Sequence, residues 1–154
     1  MRLRIAAVGR LKEDHWRGAA EEYLKRLRPY ATVEVAEISD RDISYDATKA
    51  MAAEGADLLR AIPESSYVVA LDLTGTQMTS EGLSARLADL MVGGRSDVTF
   101  VIGGSAGLAP AVLQRADEKL SLSRMTLPHQ LARVVLLEQL YRAFRIMRNE
   151  PYHL

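Results

Sequence analysis

An α/β fold with a mostly parallel sheet and flanking helices is what this sequence predicts, on three observations. Short apolar runs ending in glycine or polar residues recur along the 154 residues. Between them lie longer stretches with apolar residues at helical spacing, closed by proline or paired glycines. The apolar runs are near-continuous rather than alternating, the mark of strands buried on both faces, as parallel strands are.

The elements follow in order. Arg2–Gly9 contains the run Ile5–Val8 and stops at glycine, a buried strand. Glu13–Arg28 carries Trp16, Ala20, Tyr23, Leu24 and Leu27 on one helical face, and Pro29 ends it. Thr32–Ser39 alternates Val33, Val35 and Ile38 with acids, a half-buried strand. Tyr45–Ile62 sets Met51, Gly55, Leu58, Leu59 and Ile62 on one face, with Ser44 as its expected cap and Pro63 as its stop. Tyr67–Leu73 is a strand. Ser80–Met91 repeats leucines at helical spacing up to Gly93-Gly94. Val98–Ile102 is a buried strand, Pro110–Ala116 a short helix with proline in its first turn, and Leu120–Leu122 a short strand. Gln130–Arg148 is a long helix, closed by Pro151. Its stripe of Leu136, Leu137, Leu140, Phe144 and Met147 is widened by Val134 and Tyr141 and extended on the other flank by Val135 and Ile146. That exceeds what packing on one sheet face requires, so the helix is either central or part of a dimer interface.

The length suits one domain, 1–154. No cysteine is present, which excludes disulfides, Cys-ligated metals and a Cys nucleophile. Three histidines without clustered carboxylates make a metal site unexpected. No apolar stretch approaches a membrane span or a signal-peptide core, so a cytoplasmic protein is expected. Twenty basic and twenty acidic residues give a net charge of +0, which as a total argues against a nucleic-acid partner. The total hides a pattern. Residues 1–30 carry +4, residues 31–109 carry −7 and residues 110–154 carry +3, so basic ends flank an acidic middle.

In open α/β sheets ligands bind beyond the carboxyl ends of strands. Two such ends stand out here, Leu71-Asp72-Leu73-Thr74-Gly75 and the loop Gly103-Gly104-Ser105-Ala106-Gly107. The glycines permit close backbone approach to a ligand, or simply a tight turn. The loop lacks the Lys-Ser/Thr ending of a phosphate-binding P-loop. The segment 122–129, Leu-Ser-Arg-Met-Thr-Leu-Pro-His, can offer backbone groups to an adenine ring or be an ordinary connection. His129, at the start of the last helix, reads as a substrate contact or proton acceptor, or as a capping or packing residue. Arg142 lies four residues after Glu138, so it reads as an intrahelical ion pair or as a substrate-binding cation. Tyr152 and His153 near the end of the chain can stack on or hydrogen-bond to a base if held. Asp72, Ser105 and His129 are the types of a hydrolytic triad, but no G-x-S-x-G elbow accompanies them.

Together these residues resemble the ribosomal RNA large subunit methyltransferase H family, small SPOUT-class methyltransferases. The resemblance spans essentially the whole chain. It is carried by Ala7–Lys12, Tyr67–Gly75, Phe100–Leu108, and above all Met125–Val134 running into Glu138–Ala143, with Pro151-Tyr152-His153. It implies a homodimer with S-adenosylmethionine bound in a C-terminal trefoil knot. Carried over by position, the cofactor pocket is Leu71, Gly103, Leu122, Ser123, Arg124, Met125, Thr126 and Leu127. It implies methylation of N3 of a pseudouridine in large-subunit (23S) ribosomal RNA, on assembled ribosomes. Arg142 is then expected to stabilise the deprotonated base, His129 or His153 to assist proton removal, and Tyr152 with His153 to contact substrate. Two rivals are a nucleotide-binding α/β enzyme taking ATP or NAD on the glycine loop, and a non-catalytic ribosome-associated RNA-binding factor.

Overall fold

The computed structural model describes residues 1–152. Five strands, β1 (Arg2–Val8), β2 (Thr32–Ile38), β3 (Tyr67–Gln77), β4 (Asp97–Ile102) and β5 (Glu118–Ser121), form one sheet in the order β2-β1-β4-β3-β5. Every neighbouring pair is parallel. The connecting helices are α1 (Asp14–Leu27), α2 (Ala47–Ala61), α3 (Ser80–Val92), α4 (Pro110–Arg115) and α5 (His129–Met147).

The sheet is covered on both sides, which is why the inner stretches of its central strands are mostly apolar. Successive side chains point to opposite faces. Leu3, Ile5 and Ala7 of β1, with Val98, Phe100 and Ile102 of β4, enter a core shared with Leu27, Leu87, Leu136 and Leu140 of α1, α3 and α5. Ala6 and Val8, with Val68, Ala70 and Val101, enter the second core with Leu58 of α2 and Val112 of α4. The two-sided stripe of α5 is explained by its position: it packs against both α1 and α3, burying Leu136, Leu137, Leu140, Ala143 and Phe144.

Three local expectations are corrected. Asp46, not Ser44, caps α2: its carboxylate accepts the Lys49 N–H at 3.0 Å, while Ser44 bonds to Asp42. A carboxylate one residue before the first turn satisfies an orphan donor there, and Tyr45 lies outside the helix. Strand β3 runs past Leu73 to Gln77, with a break in register. Both Leu71 and Thr76 oppose Leu120, so residues 72–75 loop out between them. Gly75 allows this, since a Cβ there would lie 2.7 Å from the Leu120 nitrogen. Strand β5 starts two residues earlier than its apolar core suggests, because Glu118 and Lys119 pair with Val69 and Ala70 despite their charge.

Candidate functional site

The carboxyl ends of β4 and β5 and the looped-out part of β3 surround one cleft of about 750 Å³, within the range of small-molecule sites. Of the residues singled out by position, Leu71, Gly103, Leu122, Ser123, Met125, Thr126 and Leu127 lie on its wall, and Arg124 does not. The glycine loop 103–107 forms another side, and His129 and Ala132 of α5 close it.

The wall is shaped by short local bonds. The Ser121 hydroxyl donates to the Ser123 carbonyl at 2.9 Å, and the Ser123 hydroxyl accepts the Met125 N–H at 2.9 Å. The Gly107 N–H donates to the Gly104 carbonyl at 3.0 Å, closing the glycine loop on itself. Gly103 is required by contact: a Cβ there would stand 2.8 Å from the backbone carbon and oxygen of Gly107.

His129 is the first residue of α5, and Pro128 holds the cap position without a side-chain bond. The capping reading of His129 is thereby excluded; a helix cap precedes the first helical residue. Its ring packs on Gly9, 3.2 Å from where a Cβ would be, and Gly9 has φ +92°. Sequence reading missed the residue that fixes this corner. Arg133, only 3% exposed, donates to the Gly9 carbonyl at 2.9 Å and to Glu37 at 2.6 Å. It ties the first turns of α5 to the ends of β1 and β2, beside His129.

Arg142 is placed elsewhere. It lies thirteen residues after His129 on α5, roughly 20 Å along the helix, and off the cleft wall. The ion pair with Glu138 forms, at 3.1 and 3.2 Å. The Tyr152 ring covers the guanidinium, 4.1 Å from ring centre to Cζ, and the Tyr152 hydroxyl donates to Glu138 at 3.3 Å. Tyr152 reaches this point because the chain reverses at Asn149, with φ 54°. A latch then holds the returning segment: Glu150 accepts from the Tyr30 hydroxyl at 2.6 Å and from Arg145, whose Nε donates to the Pro151 carbonyl at 3.1 Å. Burial first, and then the Glu150 carboxylate, hold the Tyr30 hydroxyl above its usual range. His153 lies outside the described residues.

Asp72, Ser105 and His129 all face the cleft. Asp72 accepts from the Thr74 N–H at 3.1 Å and from its hydroxyl. Among the described residues no hydrogen bond joins the three, so no hydrolytic triad is assembled.

The fold is shared with solved structures, a methyltransferase among them. The tRNA (m1G37) methyltransferase of Aquifex aeolicus superposes with TM-score 0.59 at 15% identity, over 100% of this chain and 75% of that one. TrmJ of Z. mobilis gives 0.56 at 17%, over 100% and 73%. A family model described as "Predicted SPOUT methyltransferase" matches residues 1–153, and the chain belongs to that family. Ribosomal RNA large subunit methyltransferase H of Moorella thermoacetica is 49% identical over 99% of both chains. The protein of the same name from Listeria monocytogenes is also 49% identical, over 99% of both. Within the SPOUT methyltransferases, the chain thus falls in the group that carries this name.

Proposed function

We propose that the chain, one domain over 1–154, is an S-adenosylmethionine-dependent methyltransferase acting on N3 of a pseudouridine in 23S ribosomal RNA of assembled ribosomes, as a cytoplasmic homodimer. Membership of the family and the relatives' name support the substrate class. One observation carries the cofactor: among the described residues the cleft wall contains no lysine or arginine. A site for the phosphates of ATP or NAD wants cations or an open nest of N–H groups. A wall of apolar and backbone groups that carries the Asp72 carboxylate and, among the described residues, no lysine or arginine fits an adenosyl ligand without phosphate. The knot expected from the resemblance belongs to this proposal.

Bound there, the cofactor supplies an electrophilic methyl group. The residues of this chain then have two tasks. Leu71, Gly103, Leu122, Ser123, Met125, Thr126 and Leu127 hold and orient the donor, which supplies most of the rate advantage for a reagent already reactive. The acceptor nitrogen must lose its proton before it can take the methyl group. Arg142 stabilises the resulting anion, held in place by Glu138 and Tyr152, and His129 or His153 takes the proton. A span of roughly 20 Å along α5 separates Arg142 from the cleft of its own protomer, so a second copy brings Arg142 and the tail to it. The basic ends of the sequence then contribute salt-dependent contacts to phosphates.

The test is transfer of labelled methyl from S-adenosylmethionine to ribosomes purified from cells lacking this protein, with the modified nucleotide mapped. Arg142→Ala is expected to retain cofactor binding and to lose transfer. Full transfer by that variant overturns its assignment. A protein that binds ribosomes without binding the cofactor or transferring methyl overturns the function.

A further inference from the structure

Among the described residues, two charged side chains are buried, Arg133 and Glu54. Arg133 has its carboxylate partner. Glu54, in α2 and only 3% exposed, makes no ion pair. Its Oε2 accepts the backbone N–H of Arg41 at 2.7 Å, and its Oε1 has no partner. The Arg41 guanidinium turns away to Asp57, at 2.7 Å. Taking a carboxylate out of water without a counter-charge costs several kcal/mol, which raises the question of what the group does here.

Its position supplies the use. The carboxylate rests against Gly104: a Cβ on that glycine would lie 3.4 Å from Oε1, 3.6 Å from Oε2 and 3.0 Å from Val8 Cγ1. Gly104 is itself part of the cleft wall. A carboxylate that no protein cation pairs with therefore stands against the glycine loop that walls the cleft. The wall on that side also carries no lysine or arginine.

We infer that Glu54 is a specificity-determining residue that makes the cleft prefer a cationic nucleoside, and so favours the methyl donor over its demethylated product. This rests on the cofactor reading above. S-adenosylmethionine and S-adenosylhomocysteine share adenosine, ammonium and carboxylate; they differ in one methyl and in the sulfonium charge. A fixed carboxylate against the cleft wall acts on that difference. At intermediate dielectric the preference is about tenfold. When methyl transfer turns the sulfonium into a neutral thioether, the same carboxylate ceases to hold the ligand, and product release is favoured.

Titration calorimetry of S-adenosylmethionine and S-adenosylhomocysteine on the full chain tests this. Wild type is expected to bind the sulfonium compound about tenfold more tightly. Glu54→Gln keeps an acceptor for the Arg41 N–H and removes the charge; it is expected to lose that preference, with homocysteine-compound affinity within about twofold of wild type. Glu54→Asp, which keeps the charge, is expected to retain most of it. Equal affinities in wild type, or a parallel loss of both ligands in Glu54→Gln, overturns the inference. A wild type that binds neither compound overturns the cofactor reading instead.

Discussion

Substituting Gly103 by alanine places one methyl group where backbone already stands. The new Cβ would lie 2.8 Å from the carbon and oxygen of Gly107 and 3.1 Å from the Leu108 nitrogen. Non-bonded heavy atoms settle at roughly 3.5–4.0 Å, so the loop must retreat by roughly 0.7 Å or more. None of the three atoms is the movable end of a side chain. Overpacking of this kind costs about 1–3 kcal/mol, and here it falls on the loop that walls the cleft. Expressed in affinity, that is roughly a 5- to 150-fold weaker complex with S-adenosylmethionine, and a melting temperature lower by roughly 2–10 °C. Gly18→Ala is the comparison, because a Cβ on that exposed residue of α1 meets nothing within 4 Å. It is expected to stabilise the fold by about 0.5–1 kcal/mol and to leave binding unchanged. Calorimetry and thermal melts of both variants decide the matter. Wild-type affinity and melting in Gly103→Ala would refute the reasoning.

Two further outcomes test the packing around the site. Arg133→Met leaves the Gly9 carbonyl and Glu37 without their partner. Glu37's side chain is 36% exposed and water recovers part of the loss, so denaturant unfolding is expected to show about 2–4 kcal/mol of destabilisation; a change under about 0.5 kcal/mol refutes it. Burial, and then a hydrogen bond to Glu118, hold the Tyr67 hydroxyl proton above its usual range. Above pH ~10 the unfolded chain ionises first, so the native state binds more protons and stability declines as pH rises. Tyr67→Phe is expected to flatten that decline in unfolding measured from pH 9 to 11, and identical slopes would count against it.

The elements were legible because their stops are chemical. Pro29, Pro63 and Gly93-Gly94 end helices for local reasons, and a strand buried on both faces shows as Ile5–Val8, with nothing polar between, or as Val98–Ile102, broken only by Thr99. The cleft-lining loops were legible for the same reason, since glycines and small polar residues follow those runs. Strand order was not: nothing near β1 in sequence says that its neighbours are β2 and β4. Arg133 and Glu54 were hidden because a charge in a helix reads as a solvent-facing position. Only the packed helices show that one meets Gly9 and the other Gly104. Strand β3 was read short because Thr74-Gly75-Thr76-Gln77 has no apolar content; its pairing to β5 is made by backbone.

The bond between Arg133 and Gly9 joins positions 124 apart, and that between Tyr30 and Glu150 joins positions 120 apart. Synthesis proceeds at about 5–20 residues per second, so β1 and α1 wait roughly 6–25 s for the helix that covers them. Through that interval Leu3, Ile5 and Leu27 lack their partners from α5. Contacts of such long span also slow folding once the chain is complete. His129 and Ala132, which close the cleft, arrive on the same helix. Core and binding site are thus finished by one late docking event, and a nascent chain gains the ability to hold a ligand only when it gains a stable fold.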